Sequence, residues 1–147
     1  MPTTGIINST AMAVYVNTTG TTYVKIAYST DASISISSDM RDITTKDSSA
    51  WREVLPGLRS ATISISALYE MQAATQGVHA TTKPLWGALD GRTSLTVRFM
   101  TAVTGDQYFT VTGYISSLEL NSPGVEDNGT YSCTIEATGA VLNGTLA

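Results

Sequence analysis

The chain has one cysteine and one histidine in 147 residues, and each scarcity removes a class of chemistry. A lone Cys133 excludes an internal disulfide and a Cys-rich metal centre, and its alternation with Tyr131 and Ile135 reads as a small buried apolar residue. A lone His79 is the only imidazole available to any Ser or Cys nucleophile, and it lies in a Gly/Ala/Thr stretch that reads as a connection. Charge is also sparse: 14% of residues, against roughly 25% in an ordinary soluble domain. With 8 Lys plus Arg against 12 Asp plus Glu, the net charge is −4, so the basic footprint of a tight nucleic-acid binder is missing. No run approaches the ~18 apolar residues of a membrane span. The start, Met1-Pro2-Thr3-Thr4-Gly5, lacks the positive and apolar regions of a secretory signal, so a cytosolic, soluble origin without membrane insertion is expected. Neither a glycine-rich phosphate loop nor a metal-ligand cluster occurs, and Asp90-Gly91-Arg92 stands in no such context. Asp106, Glu119, Glu126, Asp127 and Glu136 fall where turns and strand ends place acids anyway. The expectation is a chain without cofactor, metal or enzymatic activity.

Hydroxyls and β-formers are abundant. Hydrophobic residues make up 42%, and Ser and Thr together fill about forty positions, a balance that favours strands over long surface helices. Ala11 to Asn17 and Thr21 to Tyr28 read as a hairpin around Thr18-Thr19-Gly20. Ser33-Ile34-Ser35-Ile36-Ser37 and Thr62-Ile63-Ser64-Ile65-Ser66 alternate strictly, giving each strand one dry face and one wet, uncharged face. Between them, residues 39–59 collect most of the charge of the first half and read as a long loop that is functional or partner-bound. Residues 83–91 read as the one helix, with Thr82 as its cap, Pro84 in its first turn, Gly91 at its end, and Leu85, Trp86 and Leu89 as a covering stripe. Strand signals resume at Ser94 to Thr101, Tyr108 to Leu120 and Thr130 to Thr138. The fold class is mainly β, a single domain over 1–147: an antiparallel sandwich or barrel with one flanking helix.

One local motif points elsewhere. Asp127-Asn128-Gly129-Thr130-Tyr131-Ser132-Cys133 matches the tyrosine corner of an immunoglobulin domain, but the partner cysteine is absent and neither Trp51 nor Trp86 has a Cys upstream. Asn8, Asn17, Asn128 and Asn143 each precede x-Ser/Thr, which the abundance of Thr explains compositionally. An immunoglobulin-like adhesion or virion decoration module is the alternative reading.

A resemblance runs along the whole chain. The initial hairpin, the segment Lys46-Asp47-Ser48-Ser49-Ala50-Trp51-Arg52-Glu53-Val54-Leu55-Pro56-Gly57-Leu58-Arg59, the helix, and Gly113-Tyr114-Ile115-Ser116-Ser117-Leu118 followed by Thr130-Tyr131-Ser132 and Thr138-Gly139 resemble the major tail tube protein of long, non-contractile-tailed phages. That resemblance implies a small β-sandwich with one helix, six copies per ring, and an inner sheet closed into a continuous barrel. It implies rings stacked into a virion tail tube, assembled in the bacterial cytoplasm, that encloses the tape measure protein, meets terminator and distal tail proteins, and passes double-stranded DNA. Contact with the adjacent ring is then expected from Asp39, Arg41, Lys46, Asp47, Trp51, Arg52, Glu53, Leu55 and Arg59. The lumen wall is expected from Ser33, Ser35, Ser37, Thr62, Ser64, Ser66, Thr110, Thr112, Ser132 and Thr134, with Glu119 and Glu136 as acidic rings. Lys25, Arg41, Lys46, Arg52, Arg59, Lys83, Arg92 and Arg98 are expected largely to avoid these hydroxyl faces.

Overall fold

The computed structural model describes residues 1–72, 77–80, 84–101 and 103–147. Its strands are β1 (Ala13–Thr19), β2 (Thr22–Lys25), β3 (Ser29–Asp42), β4 (Val54–Leu68), β5 (Leu95–Met100), β6 (Gln107–Asn121), β7 (Thr130–Ala137) and β8 (Leu142–Thr145). They form one antiparallel sheet in the order β2-β1-β5-β6-β7-β4-β3, with β8 beside β6. The period of two in the sequence decides which side of each strand is dry. Ile63 and Ile65 are buried while Ser64 between them is exposed, and Tyr131, Cys133 and Ile135 are buried while Ser132 and Glu136 are exposed. Val14 and Val16 of β1 and Val97 of β5 join the same apolar cluster as Ile63 and Ile65 of β4, so the sheet curls until strands distant in its order share one core.

β6 is the strand that turns the corner. Its first half pairs with β5 and β8, and from Gly113 onward it pairs with β7. The register slips between Ile115 and Ser117, a bulge that bends the strand, and a Cβ at Gly113 would overlap the carbonyl of Glu136.

The helix, α1 (Leu85–Asp90), is shorter than expected. Pro84 precedes it in an extended conformation with no side-chain cap, and the expected Thr82 cap and Lys83 lie outside the described residues. Leu85 and Ala88 are buried and Leu89 packs beside them, whereas Trp86 is 53% exposed. The covering stripe is therefore 85, 88 and 89, the i, i+3, i+4 face, and Trp86 is turned about 100° away from it.

The expected loop over 39–59 is instead the far end of a long hairpin. β3 continues to Asp42 and β4 begins at Val54, paired through Met40 with Pro56, Arg41 with Leu55 and Asp42 with Val54, so only residues 43–53 connect them. Alternation fails there because the hairpin runs past the core: 39–42 and 54–56 are exposed on both faces, and nothing selects apolar residues for one side.

Candidate functional site

The outward face of β3, β4, β7 and the second half of β6 is a continuous hydroxyl field. Ser33 faces Ser64, Ser35 faces Thr62, and Ser37 faces Ser60, whose hydroxyl lies 2.9 Å away. Thr62, Ser64 and Ser66 in turn face Glu136, Thr134 and Ser132 on β7, and Thr134 and Ser132 face Ser117 and Glu119 on β6. Ten of the twelve expected wall residues are thus brought to one face. Thr110 and Thr112 are not: they pair with Arg98 and Thr96 on β5, because β6 has not yet changed partners at those positions. Sequence reasoning missed Ser117, which lies across an irregularity of the alternation, Ser60, which continues the Thr62–Ser66 stripe past Ala61, and Asp31, which faces Ser66. The patch carries Asp31, Glu119 and Glu136 and no cation.

Arg98 is an exception to the general avoidance of hydroxyl faces by the cations. Its Nε donates to Thr110 Oγ1 at 3.3 Å, so it stands on a hydroxyl face, though the one formed by β2, β1, β5 and the first half of β6. Lys25 shares that face, opposite Tyr15, which is itself opposite Arg98.

The hairpin presents a second feature. Its tip is held by Ser48, only 8% exposed, whose hydroxyl accepts from the Thr45 amide at 3.1 Å and donates to Glu53 Oε2 at 2.9 Å. Ser49 and Ala50 take positive φ values of 50° and 66°, so the chain reverses sharply and the Trp51 amide returns to the Ser48 carbonyl at 2.9 Å. Asp42 accepts from the Thr44 amide at 2.9 Å and pairs with Arg52 at 3.5 Å. Hydrogen bonding from Thr44, with a smaller contribution from Arg52, holds its carboxyl below the ordinary range. The result is a fixed tip bearing Trp51 at 79% exposure, with Leu55 and Leu58 exposed on the strand behind it. Lys46, Asp47, Arg52 and Glu53 lie with Trp51 in the connection, while Asp39, Arg41 and Arg59 stand on the paired strands. Ser48 was missed because nothing in a Ser-rich chain distinguishes one hydroxyl that is buried.

The residues with catalytic potential are engaged otherwise. His79 Nε2 lies 2.6 Å from the Tyr69 hydroxyl. Burial pushes the Cys133 thiol up to about 12. Tyr131 is buried, and its hydroxyl has no hydrogen-bond partner among the described residues, whereas a tyrosine corner depends on that bond.

A curled sheet with a hydroxyl-and-acid face, an exposed outer edge on β3, and an apolar-tipped hairpin beyond its core defines a structural β module completed by neighbours. The chain belongs to the phage tail tube protein family, whose model matches residues 6–143, and is a structural subunit of the virion tail. Its fold is similar to that of the tail of an empty gene transfer agent particle refined with C6 symmetry (TM-score 0.77, 18% identity, 97% of this chain and 100% of that one). It is also similar to the SPP1 tail tube (0.73, 14%, 95% and 80%) and to the sheath–tube complex of an extracellular contractile injection system in its extended state (0.64, 15%, 96% and 93%). No curated protein sequence matches the chain.

Proposed function

We propose that six copies close into a ring through the free edges of the patch formed by β3, β4, β7 and β6, and that rings stack into a conduit lined by that patch. The carrying observation is the patch itself: four antiparallel strands whose outward face holds hydroxyls and three acids without a cation. One of its edges is β3, and the other is the stretch of β6 beyond Gly113, which among the described residues pairs only with β7. Because the number of strands is even, β3 and this part of β6 run in opposite directions. Rotation about an axis then brings β3 of one copy beside β6 of the next in antiparallel register, which removes both exposed edges. Six copies give 24 strands. At ~4.8 Å per strand the circle is roughly 37 Å across untilted and about 48 Å at a 40° tilt, wide enough for duplex DNA and water.

The hairpin extends beyond the core and is read as the contact with the adjacent ring. Trp51 and Leu55 are its apolar anchors, and Asp39, Arg41, Lys46, Asp47, Arg52, Glu53 and Arg59 set register more than affinity. The tube is assembled in the host cytoplasm around a tape measure protein, is bounded by terminator and distal tail proteins, and later passes double-stranded DNA. The subunit acts without catalysis.

A cation-free wall lets DNA slide, because a ring of cations repeated in every layer would make many simultaneous phosphate contacts. Ser64→Lys is therefore expected to permit tube assembly and slow DNA release, with partial rescue at high salt, where phosphate attraction is screened. Assembled Ser64→Lys tubes that pass DNA at the normal rate would remove this face from the conduit.

A further inference from the structure

The face of β2, β1, β5 and the first half of β6 carries a built structure that the conduit does not use. The Arg98 guanidinium lies 3.9 Å from the Tyr23 ring centroid and 4.0 Å from that of Tyr108, clamped between two aromatic planes. Tyr108 in turn occupies space that only glycine leaves open, since a Cβ at Gly144 of the neighbouring β8 would overlap its ring. The stack thus crosses the sheet from β8 to β2, and the Arg98 Nε bond to Thr110 fixes the rotation of the guanidinium within it. Nη1 and Nη2 have no hydrogen bond among the described residues. A half-buried guanidinium held close to two aromatic rings, with Nη1 and Nη2 free of hydrogen bonds among the described residues, retains the paired N–H donors that receive a carboxylate. Lys25 stands two strands away on the same face, about 10 Å from Arg98 at ordinary strand spacing. No carboxylate projects from this face of the strands, so its polarity is opposite to that of the hydroxyl patch.

We infer that the Tyr23–Arg98–Tyr108 stack, with Lys25 beside it, is a docking site for the acidic turn at 122–129 of a second copy of this chain. That turn offers the complementary chemistry. Glu126 and Asp127 are adjacent and exposed, with no ion pair among the described residues, and Val125 before them is fully exposed. Two carboxylates and an apolar side chain meet two cations beside tyrosines, all four charges without an ion pair among the described residues, a composition in which Tyr and Arg dominate interface energetics. The inference rests on the tube reading, which supplies the second copy.

Tube growth of the purified chain, followed by light scattering and negative-stain microscopy, tests it. Arg98→Glu alone and Glu126→Lys/Asp127→Lys alone are each expected to raise the concentration required for growth about tenfold or more, and their combination to restore it to within about threefold. Should Arg98→Glu lower the melting temperature of the monomer, the turn variant decides by itself, because the side chains it replaces make no ion pair or hydrogen bond among the described residues. Unchanged growth of the turn variant, or exchanged charges that fail to restore growth, overturns the site. Wild-type protein that forms no tubes contradicts the tube reading itself, so the two failures are told apart.

Discussion

Cys133 and Asp106 show how single side chains report on the fold. Cys133 is 1% exposed, and burial pushes its thiol up to about 12. The nucleophile in thiol chemistry is the thiolate, so labelling of the native protein at pH 8 should be slower than that of the unfolded chain by about two orders of magnitude or more. Rapid native labelling would place β7 the other way round. The weakened acidity of the buried thiol also sets a direction with pH. Above the ordinary thiol value of 9.0 the unfolded chain releases this proton before the folded one does, so stability falls as pH rises from about 9 towards 12. Asp106 is the opposite case. It accepts from Thr101 Oγ1 at 2.5 Å and from Thr3 Oγ1 at 2.6 Å and the Thr3 amide, and these bonds, Thr101 first, lower its carboxyl below 3.8. The stability it adds is complete above that value and is lost as pH falls through the lowered one. Asp106→Asn turns one acceptor into a donor, and proteolysis at pH 7 should then cut within residues 1–12 faster while the core strands stay protected. Unchanged cleavage would mean that Thr3 is held by something else. The burial of Cys133 was legible in its alternation with Tyr131 and Ile135, whereas the role of Asp106 was not: it reads as an ordinary turn acid, and its partner Thr3 lies 103 positions away.

At the scale of elements, legibility followed burial. Strands with one dry side were readable because Ile63 and Ile65, or Tyr131, Cys133 and Ile135, alternate with hydroxyls. β8 was not, since Asn143 and Gly144 are poor strand formers and Gly144 is required only because Tyr108 lies over it. The outer part of the β3–β4 hairpin was also hidden, as both its sides face solvent. The corner in β6 depends on Gly113 and Ser116, and missing it is what misplaced Thr110 and Thr112. The hairpin carries the prediction at this scale. Trp51 is 79% exposed and the Ser48–Glu53 bond holds the tip without it, so Trp51→Ala should alter stability by no more than about 0.5 kcal/mol and leave the β circular dichroism unchanged. Tube growth should nevertheless stop at short lengths. Tubes of normal length would remove the tip from the contact between rings.

For the whole molecule, the proposed assembly gives the low charge content and the opposite polarity of the two outward faces one reading, in which each face meets a different environment. The acid-and-hydroxyl face comes from four strands that are far apart in sequence, β3, β4, β6 and β7, and only their pairing makes one surface of them. The sequence showed the stripes on each strand, while the edge-to-edge order that joins them is a property of the sheet. Electron cryomicroscopy of tubes grown from the purified chain tests the central claim most directly. The expected image is a hollow six-fold tube in which β3 of each subunit pairs antiparallel with β6 of the next, and Ser35, Ser64, Thr134 and Glu119 point into the lumen. Dispersed monomers, or a tube with those side chains on its outer surface, would contradict it.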